Sequence, residues 1–150
     1  MTMNNIKMLD RRLPFEFVYE TLRKLSSLFT PPLSESLDIE AYAKKLSDKA
    51  EFVVCMDGDD LLGFTAYYLN TIKHQIYITL ICVDSSYQAH GIGSKMLEHI
   101  VVKTQTIEEC YRTIALEVNK QNGKARRFYQ KQGFIEKEDR GEKMLMVKAI

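Results

Sequence analysis

The chain has 150 residues, which is room for one domain. Its 21 Lys and Arg stand against 20 Asp and Glu, a net charge of +1. This balance excludes nonspecific electrostatic binding of nucleic acid as the main activity, so we expect no nucleic-acid partner. Hydrophobic residues make up 45% of the chain and charged residues 27%. That mixture is typical of a globular domain and excludes a disordered or collagen-like protein.

Membrane, disulfide and metal signals are weak in this sequence. No apolar run approaches the roughly 18 residues that cross a bilayer, and the first residues carry no signal-peptide core. We therefore expect a cytoplasmic protein without a membrane partner. Cys55, Cys82 and Cys110 are far apart in apolar runs, which predicts buried thiols rather than disulfides. The three histidines lack metal-ligand spacing, so no metal site is expected.

Two amphipathic helices are predicted in the first third of the chain, after a short strand near residues 6–9. The apolar positions of the first helix, which ends before two prolines, are Val18, Leu22, Leu25 and Phe29, followed by Pro31 and Pro32. The second helix begins near residues 36–38, and its apolar face holds Ile39, Tyr42, Ala43 and Leu46.

The middle of the chain changes to strand-like composition. Runs at 51–56 and 61–69 are rich in β-branched and aromatic residues, and the turn-prone segment 57–60 joins them. The run at 75–84 is apolar on both alternations, which predicts a central strand covered on both faces.

The remaining third alternates helices and strands. A helix follows residue 94 and carries Leu97, Ile100 or Val101, Thr104 and Ile107 on one face. Next come a strand at 113–119, a helix at 123–132 and two strands at 134–138 and 143–149 joined by a turn at 139–141. Asn122 is a good N-cap for that last helix, and Gly133 suits its end. The order (β)ααβββαβαββ predicts an α/β fold over 1–150: one domain, a mixed sheet of six to seven strands, and four helices.

The segment between the apolar strand and the third helix contains two glycines, Gly91 and Gly93, at the helix start. Glycine permits positive φ and close approach of a ligand, and the first helical turn leaves N–H groups without backbone partners. Such a loop suits an anion, most often phosphate, although a plain strand-to-helix turn is the alternative. The dinucleotide motif would need glycine where Met96 stands, and the Gly-Lys-Ser or Gly-Lys-Thr of a P-loop is absent.

The segment Gln88-x-x-Gly91-x-Gly93, following Val83-Asp84, resembles the acetyl-CoA signature of the GNAT superfamily of N-acetyltransferases. The downstream parts of the resemblance keep its order and spacing: Leu116 to Asn119, Asn122-x-x-Ala125, Phe128-Tyr129 and Gly133-Phe134. This sequence departs from the commonest form in having Gln88 where arginine is frequent, which removes one positive charge near the phosphates.

The resemblance implies acetyl-CoA as co-substrate. Backbone amides of residues 88–94 would hold the pyrophosphate, and the strand around residues 81–83 would pair with the pantetheine arm. The residues implied to contact the cofactor are Ile81, Cys82, Val83, Gln88, Ala89, His90, Gly91, Ile92, Gly93, Ser94, Asn122, Phe128 and Tyr129. The basic side chains implied to lie near the CoA phosphates are Lys95, Lys124, Arg126 and Arg127.

The resemblance also implies two catalytic roles in direct transfer to an amine. Tyr129 would be the general acid for the leaving thiolate, and Glu117 a general base, directly or through water. Packing of Tyr129 in the helix, and exposure or ion pairing of Glu117, are the alternatives. A backbone N–H near Cys82 would polarise the carbonyl. Cys82 as a nucleophile is unnecessary, since its apolar context predicts an inert thiol.

The resemblance implies that the acceptor enters between the first two helices and the last strand pair, here at 29–37 and 139–142. Glu35 and Asp38 would attract a cationic amine, either a small molecule or a peptide. The sequence does not choose among a polyamine, an amino sugar, an antibiotic, and a protein N-terminus or lysine. Two other classes remain open: a CoA-binding regulatory module without catalysis, and a plain interaction domain. A homodimer is predicted through the carboxyl-terminal strand, residues 144–150.

Overall fold

The computed structural model describes residues 5–25, 38–106 and 111–150. The strands are β1 (Ile6–Asp10), β2 (Glu51–Asp57), β3 (Asp60–Asn70), β4 (Gln75–Val83), β5 (Thr113–Asn119), β6 (Ile135–Arg140) and β7 (Lys143–Ala149). The α-helices in these ranges are α1 (Phe15–Leu25), α2 (Ile39–Lys49), α3 (Ile92–Gln105) and α4 (Gly123–Lys131), and a 3-10 helix spans Ser85–His90. The strands form one seven-stranded sheet in the order β1-β2-β3-β4-β5-β7-β6. The predicted α/β fold and element order are confirmed, including the short first strand.

The described residues cluster into two compact units. The first unit holds β1 to β4, the 3-10 helix, α3 and the beginning of β5, and the second holds α1, α2, the rest of β5, α4, β6 and most of β7. The single domain over 1–150 therefore stays a prediction.

The core of the first unit lies where α3 packs on the sheet. The α3 side chains buried there are Ile92, Met96, Leu97, Ile100 and Thr104. The hydroxyl of Thr65 on β3 donates to the sulfur of Met96 at 3.5 Å. The predicted face of this helix is therefore confirmed for Leu97, Ile100 and Thr104, whereas Ile107 lies outside the described residues.

β4 alternates in burial, and this corrects one prediction. One row of side chains is buried, namely Ile76, Ile78, Leu80 and Cys82, whereas the row between them is half-buried. The strand is central in the sheet, as predicted, but full cover on both faces was wrong. Apolar side chains such as Ile81 tolerate partial exposure, so composition alone overestimates their burial.

The strand pairs of the first unit are antiparallel with two irregularities. Leu62 is an extra residue on β3 opposite the Cys55/Met56 step of β2, and Thr79 is an extra residue on β4 opposite Ala66/Tyr67. Extra residues of this kind bend a strand and increase its twist. Leu62 is next to Gly63, the partner of Val83, so one irregularity lies beside the carboxyl end of β4, from which the glycine-containing loop departs.

In the second unit α1 packs against α2. Their fully buried side chains are Val18, Leu22, Ala43 and Leu46, which belong to the predicted faces. Asp38 caps α2 by accepting a hydrogen bond from the backbone N–H of Ala41 at 3.2 Å. Phe29, Pro31 and Pro32 lie outside the described residues.

The hairpin of β6 and β7 ends the chain. Gly141 occupies its turn with a φ of +78°. β7 lies between β5 and β6, whereas β6 is the edge strand and is exposed along its whole length. The reason given for a dimer was therefore wrong, because a strand paired on both sides offers no free edge. The dimer itself stays a prediction.

Cys55 and Cys82 are buried free thiols, as predicted, and Cys110 lies outside the described residues. Over the parts of the chain that the structure describes, no cluster of three His, Cys, Asp or Glu residues is arranged to hold a metal ion. Within the same ranges, no helix has the length and apolar character needed to cross a bilayer.

Candidate active site

The loop after β4 is held in shape by Asp84. Its carboxylate accepts the backbone N–H of Ser86 at 2.9 Å, and its carbonyl accepts that of Tyr87 at 2.9 Å. Its own N–H donates to the carbonyl of Leu62 at 2.8 Å, which ties the loop to β3. One aspartate thereby ends the strand and begins the 3-10 helix.

Gly91 joins the 3-10 helix to α3 in the left-handed conformation, with a φ of +71°. A Cβ built at this position would meet nothing within 4 Å, so the space beside the backbone is open. As the N-cap of α3, Gly91 supplies no capping side chain. The positive end of the helix dipole and the first-turn N–H groups together suit an anion such as a diphosphate.

The described side chains around Gly91 differ in burial. Ile92 is buried in the core. Gln88 is exposed and its amide nitrogen lies 3.4 Å from the carbonyl of Val83. His90 is exposed and meets the ring of Tyr87 edge to face at 5.9 Å. The prediction that backbone amides of residues 88–94 hold the pyrophosphate stays a prediction.

The carboxyl end of β4 approaches β3 at a glycine that sequence reasoning missed. A Cβ built on Gly63 would lie 2.6 Å from the carbonyl oxygen of Cys82 and 3.2 Å from the Cα of Val83. Both are backbone atoms, so no side-chain rotation would relieve the overlap. An isolated glycine within a strand-like run indicates a bulge or a close backbone approach, so Gly63 carried a sequence signal, although that signal does not identify the approaching strand.

The thiol of Cys82 is unsuited to nucleophilic chemistry. Burial, followed by the nearby charge of Asp84, raises the pKa of Cys82 to about 12. The reactive thiolate is therefore scarce at neutral pH. Its predicted inertness agrees with this environment.

Asn122 caps α4. Its side-chain oxygen accepts the backbone N–H of Ala125 at 3.1 Å. The helix-capping role that the sequence predicted for Asn122 is therefore confirmed. This role uses the side-chain oxygen of Asn122.

Tyr129 lies on α4 in an aromatic group. Its ring meets Phe128 edge to face at 5.2 Å and Phe134 at 5.6 Å. The side chain stays half-buried. Desolvation raises the pKa of Tyr129 to about 12, so its hydroxyl keeps its proton throughout the neutral range.

Glu117 on β5 forms an ion pair with Arg140. The carboxylate lies 3.4 Å from one guanidinium nitrogen, and Glu138 lies 3.2 Å from the other. The Glu117 side chain is 26% exposed, so it remains accessible to water. An ion pair was one alternative predicted for Glu117, but the sequence did not identify its partner. That partner, Arg140, lies at the end of β6.

Among the predicted phosphate-binding cations, Arg126 is already occupied. Its guanidinium donates to the carboxylate of Glu136 and, at 3.1 Å, to the carbonyl of Lys120. Lys95, Lys124 and Arg127 are exposed.

A surface cavity of about 630 Å³ opens at the beginnings of α1 and α2. It is lined by Phe15, Glu16, Asp38, Glu40, Ala41 and Lys44. Three carboxylates against one ammonium favour a cationic occupant. Asp38 was predicted to attract the acceptor, whereas Glu35 and segment 29–37 lie outside the described residues. At the other predicted acceptor position, a hydrogen bond from Lys120 lowers the pKa of Asp139.

Comparison with known proteins decides the family. The model of the acetyltransferase (GNAT) family matches residues 18–134, well over half of the chain. The chain belongs to the GNAT acetyltransferase family. The predicted acetyltransferase class is thereby confirmed.

Relatives of this acetyltransferase include a phage protein and solved structures. The 5-NmdU N-acetyltransferase of Pseudomonas phage PaMx11 is 46% identical over 75 residues, which is 50% of this chain and 50% of the relative. The PaiA N-acetyltransferase of Thermoplasma acidophilum, crystallised with coenzyme A, has a TM-score of 0.72 at 19% identity over 98% of this chain and 100% of that one. A GNAT acetyltransferase of Elizabethkingia anophelis with acetyl-CoA bound has a TM-score of 0.72 at 15% identity over 98% and 99%. The match therefore spans half the length of the phage relative, whereas the fold agrees over nearly the whole chain.

Proposed function

We propose that this GNAT acetyltransferase moves an acetyl group from acetyl-CoA to a primary amine by direct transfer, and that residues 1–150 form one domain for this purpose. Family membership and the chemistry of the described residues support the proposal. The ligands of the two structural neighbours, coenzyme A and acetyl-CoA, agree with it.

The observation that carries the proposal is the beginning of α3. Gly91 turns the chain in the left-handed conformation, leaves open space beside it and supplies no capping side chain. A helix start without a side-chain cap fits the diphosphate of CoA, because backbone N–H groups and the helix dipole both favour an anion. The substitution of arginine by Gln88 removes one charge but none of these backbone donors.

Backbone of β4 and the amide of Asn122 are proposed to hold the pantetheine arm. The family resemblance implies that β4 stands apart from β5 at its carboxyl end, so an amide-containing arm would pair there with the backbone of Ile81–Val83. Asn122 uses its oxygen for the helix cap, so its amide nitrogen is the group proposed to donate to the arm.

Acetyl-CoA supplies an acetyl group activated as a thioester. The amine nitrogen forms a bond to the carbonyl carbon while the carbon–sulfur bond breaks. Tyr129 is proposed to give its proton to the departing thiolate, a role that requires a protonated phenol. The raised pKa of Tyr129, about 12, keeps the hydroxyl protonated across the neutral range, as a general acid requires.

Glu117 is proposed to take the proton that the amine loses, directly or through water. Its 26% exposed side chain leaves access for a water molecule, and Arg140 holds the carboxylate in one position. The backbone N–H of Cys82 or Val83 is proposed to polarise the carbonyl.

A cationic amine is the proposed acceptor. The cavity at the beginnings of α1 and α2, with Glu16, Asp38 and Glu40 in its lining, favours positive charge. A second acceptor class is an amine carried on a nucleotide, which is suggested by the name of the phage relative. Both are amines, and the small-molecule or peptide acceptor expected from the sequence remains a proposal.

Two measurements on the purified protein test the function. Acetyl-CoA at 100 times its dissociation constant should raise the free energy of unfolding by about 2.7 kcal/mol, visible as a higher melting temperature. Release of free CoA thiol should then follow with one group of an amine panel that contains polyamines, amino sugars, peptides and 5-NmdU. An absent melting shift would contradict the function and favour a plain interaction domain. A shift without thiol release from any amine would favour the regulatory CoA-binding module.

A further inference from the structure

Gly63 lies where the chain has no room for a side chain. In the β3–β4 pair Gly63 stands opposite Val83. A Cβ at this position would lie 2.6 Å from the carbonyl oxygen of Cys82, well inside van der Waals contact, and 3.4 Å from the Cγ2 of Val83. Because the nearest atom is backbone, any side chain at position 63 must displace the end of β4.

The strand irregularity beside Gly63 explains this close approach. Gly63 pairs with Cys55 on β2, but the next pair is Leu61 with Met56, so Leu62 is the extra residue. An extra residue rotates the strand locally and re-aims the residues next to it. The close approach of Gly63 to β4 lies directly beside this extra residue, and only a residue without a Cβ allows it.

The hydrogen bonds around Gly63 connect this approach to the loop that begins α3. Leu62, its neighbour, accepts the backbone N–H of Asp84 at 2.8 Å. Asp84 in turn caps the 3-10 helix through Ser86. A shift of the β4 end would therefore move both the backbone at 81–83 and the entry to the loop.

We infer that Gly63 is a positioning residue for the acetyl donor, acting through the backbone of Cys82, Val83 and Asp84. This inference rests on the proposed function, because those backbone groups are the ones proposed to hold acetyl-CoA. Gly63 would touch neither substrate. Its role is to allow β4 to end at the position where the β4 backbone can bind the pantetheine arm and the N–H groups of the loop can bind the diphosphate.

The test is Gly63→Ala with Gly58→Ala as the matched control. Gly58 lies in the turn of the neighbouring β2–β3 hairpin at a φ of +60° with nothing within 4 Å of a built Cβ. Alanine there strains the backbone and lowers stability without touching β4. We expect Gly63→Ala to raise the Kd and KM of acetyl-CoA about tenfold, the factor expected from the loss of one hydrogen bond. The amine KM should stay within about twofold, and Gly58→Ala should leave all three constants unchanged.

The outcomes separate this inference from the proposed function. If Gly63→Ala binds acetyl-CoA as tightly as the wild type, the inference is overturned while the function stands. A larger effect on the amine KM than on the acetyl-CoA KM also overturns it. If the wild-type protein binds no acetyl-CoA, both are overturned.

Amide hydrogen exchange of the wild-type protein keeps the inference testable if Gly63→Ala does not fold. The Asp84 amide should exchange slowly because it donates to Leu62, and the amides of 81–84 should slow further with acetyl-CoA. The inference would be overturned if the Asp84 amide exchanged as fast as in an unstructured chain. It would also be overturned if acetyl-CoA left the exchange rates of the amides at 81–84 unchanged.

Discussion

Two regions of this acetyltransferase are proposed to offer different chemical groups to its substrates. Around Gly91 the proposed groups are backbone N–H groups, whereas the side chains of Gln88 and His90 are exposed and that of Ile92 is buried in the core. Along β5 and α4 the useful groups are side chains, and each already has a structural contact. Asn122 caps a helix, Glu117 pairs with Arg140, and Tyr129 packs against Phe128 and Phe134.

This difference determines how substitutions in the two regions should behave. A backbone site tolerates most side-chain changes but depends on the conformation that a glycine permits. A side-chain site mixes chemistry with stability, so only substitutions that retain the structural contact report on the chemistry.

The largest effect is expected from Tyr129→Phe, which removes the hydroxyl and keeps the ring. We expect kcat to fall about 10²-fold, because loss of a general acid slows departure of the thiolate. Acetyl-CoA affinity and melting temperature should hardly change, since the contacts with Phe128 and Phe134 remain. Steady-state kinetics and calorimetry measure these quantities, and an unchanged kcat would remove Tyr129 from the mechanism.

The pH profile of the wild type sharpens this prediction. Burial raises the pKa of Tyr129 to about 12, so the protonated acid form persists as pH rises and is lost only near that value. The kcat profile should therefore lack a descending limb below about pH 11. A descending limb near pH 8 that disappears in Tyr129→Phe would contradict the raised pKa of Tyr129.

A smaller effect is expected from Glu117→Gln, which keeps the shape and removes the charge. We expect kcat/KM to fall about tenfold, with part of the rate retained by a water molecule as base. Glu138→Gln is the matched control, because Glu138 also contacts Arg140 but is not proposed to accept a proton. Equal losses in both variants would make Glu117 a purely structural residue.

Gly91→Ala tests the backbone region. Alanine costs about 1–2 kcal/mol at a φ of +71°, so we expect acetyl-CoA to bind about fivefold more weakly as the loop relaxes. Gly141→Ala carries comparable strain at +78° in the β6–β7 turn and should leave acetyl-CoA binding unchanged. Calorimetric titration of both variants decides the comparison. Similar affinities of the two would contradict the backbone site at the beginning of α3.

No effect is expected from a thiolate-specific alkylating reagent at Cys82. Burial keeps the pKa of this thiol at about 12, so mass spectrometry after treatment at pH 7.5 should find it unmodified. Rapid modification in the folded protein would show that the end of β4 opens to solvent, and would weaken the comparison between the two regions.

The amino-acid sequence alone determined the features that depend on near neighbours in the chain. The spacing of apolar residues predicted the buried faces of α1, α2 and α3. The residue types at Gly91, Asn122 and Gly133 predicted that helices begin or end at these positions. These signals are local because helix periodicity and capping involve residues three or four positions apart. The family resemblance depends on the same local segments and therefore reached the correct enzyme class.

Only the tertiary structure decided the features that join distant segments. The approach of Gly63 to Cys82, the pairing of Glu117 with Arg140 and the position of β7 between β5 and β6 each depend on strand order. Strand neighbours come from far apart in the chain, and no local pattern encodes them. The raised pKa of Tyr129 belongs with these features, because desolvation is a property of the packed environment and not of the residue.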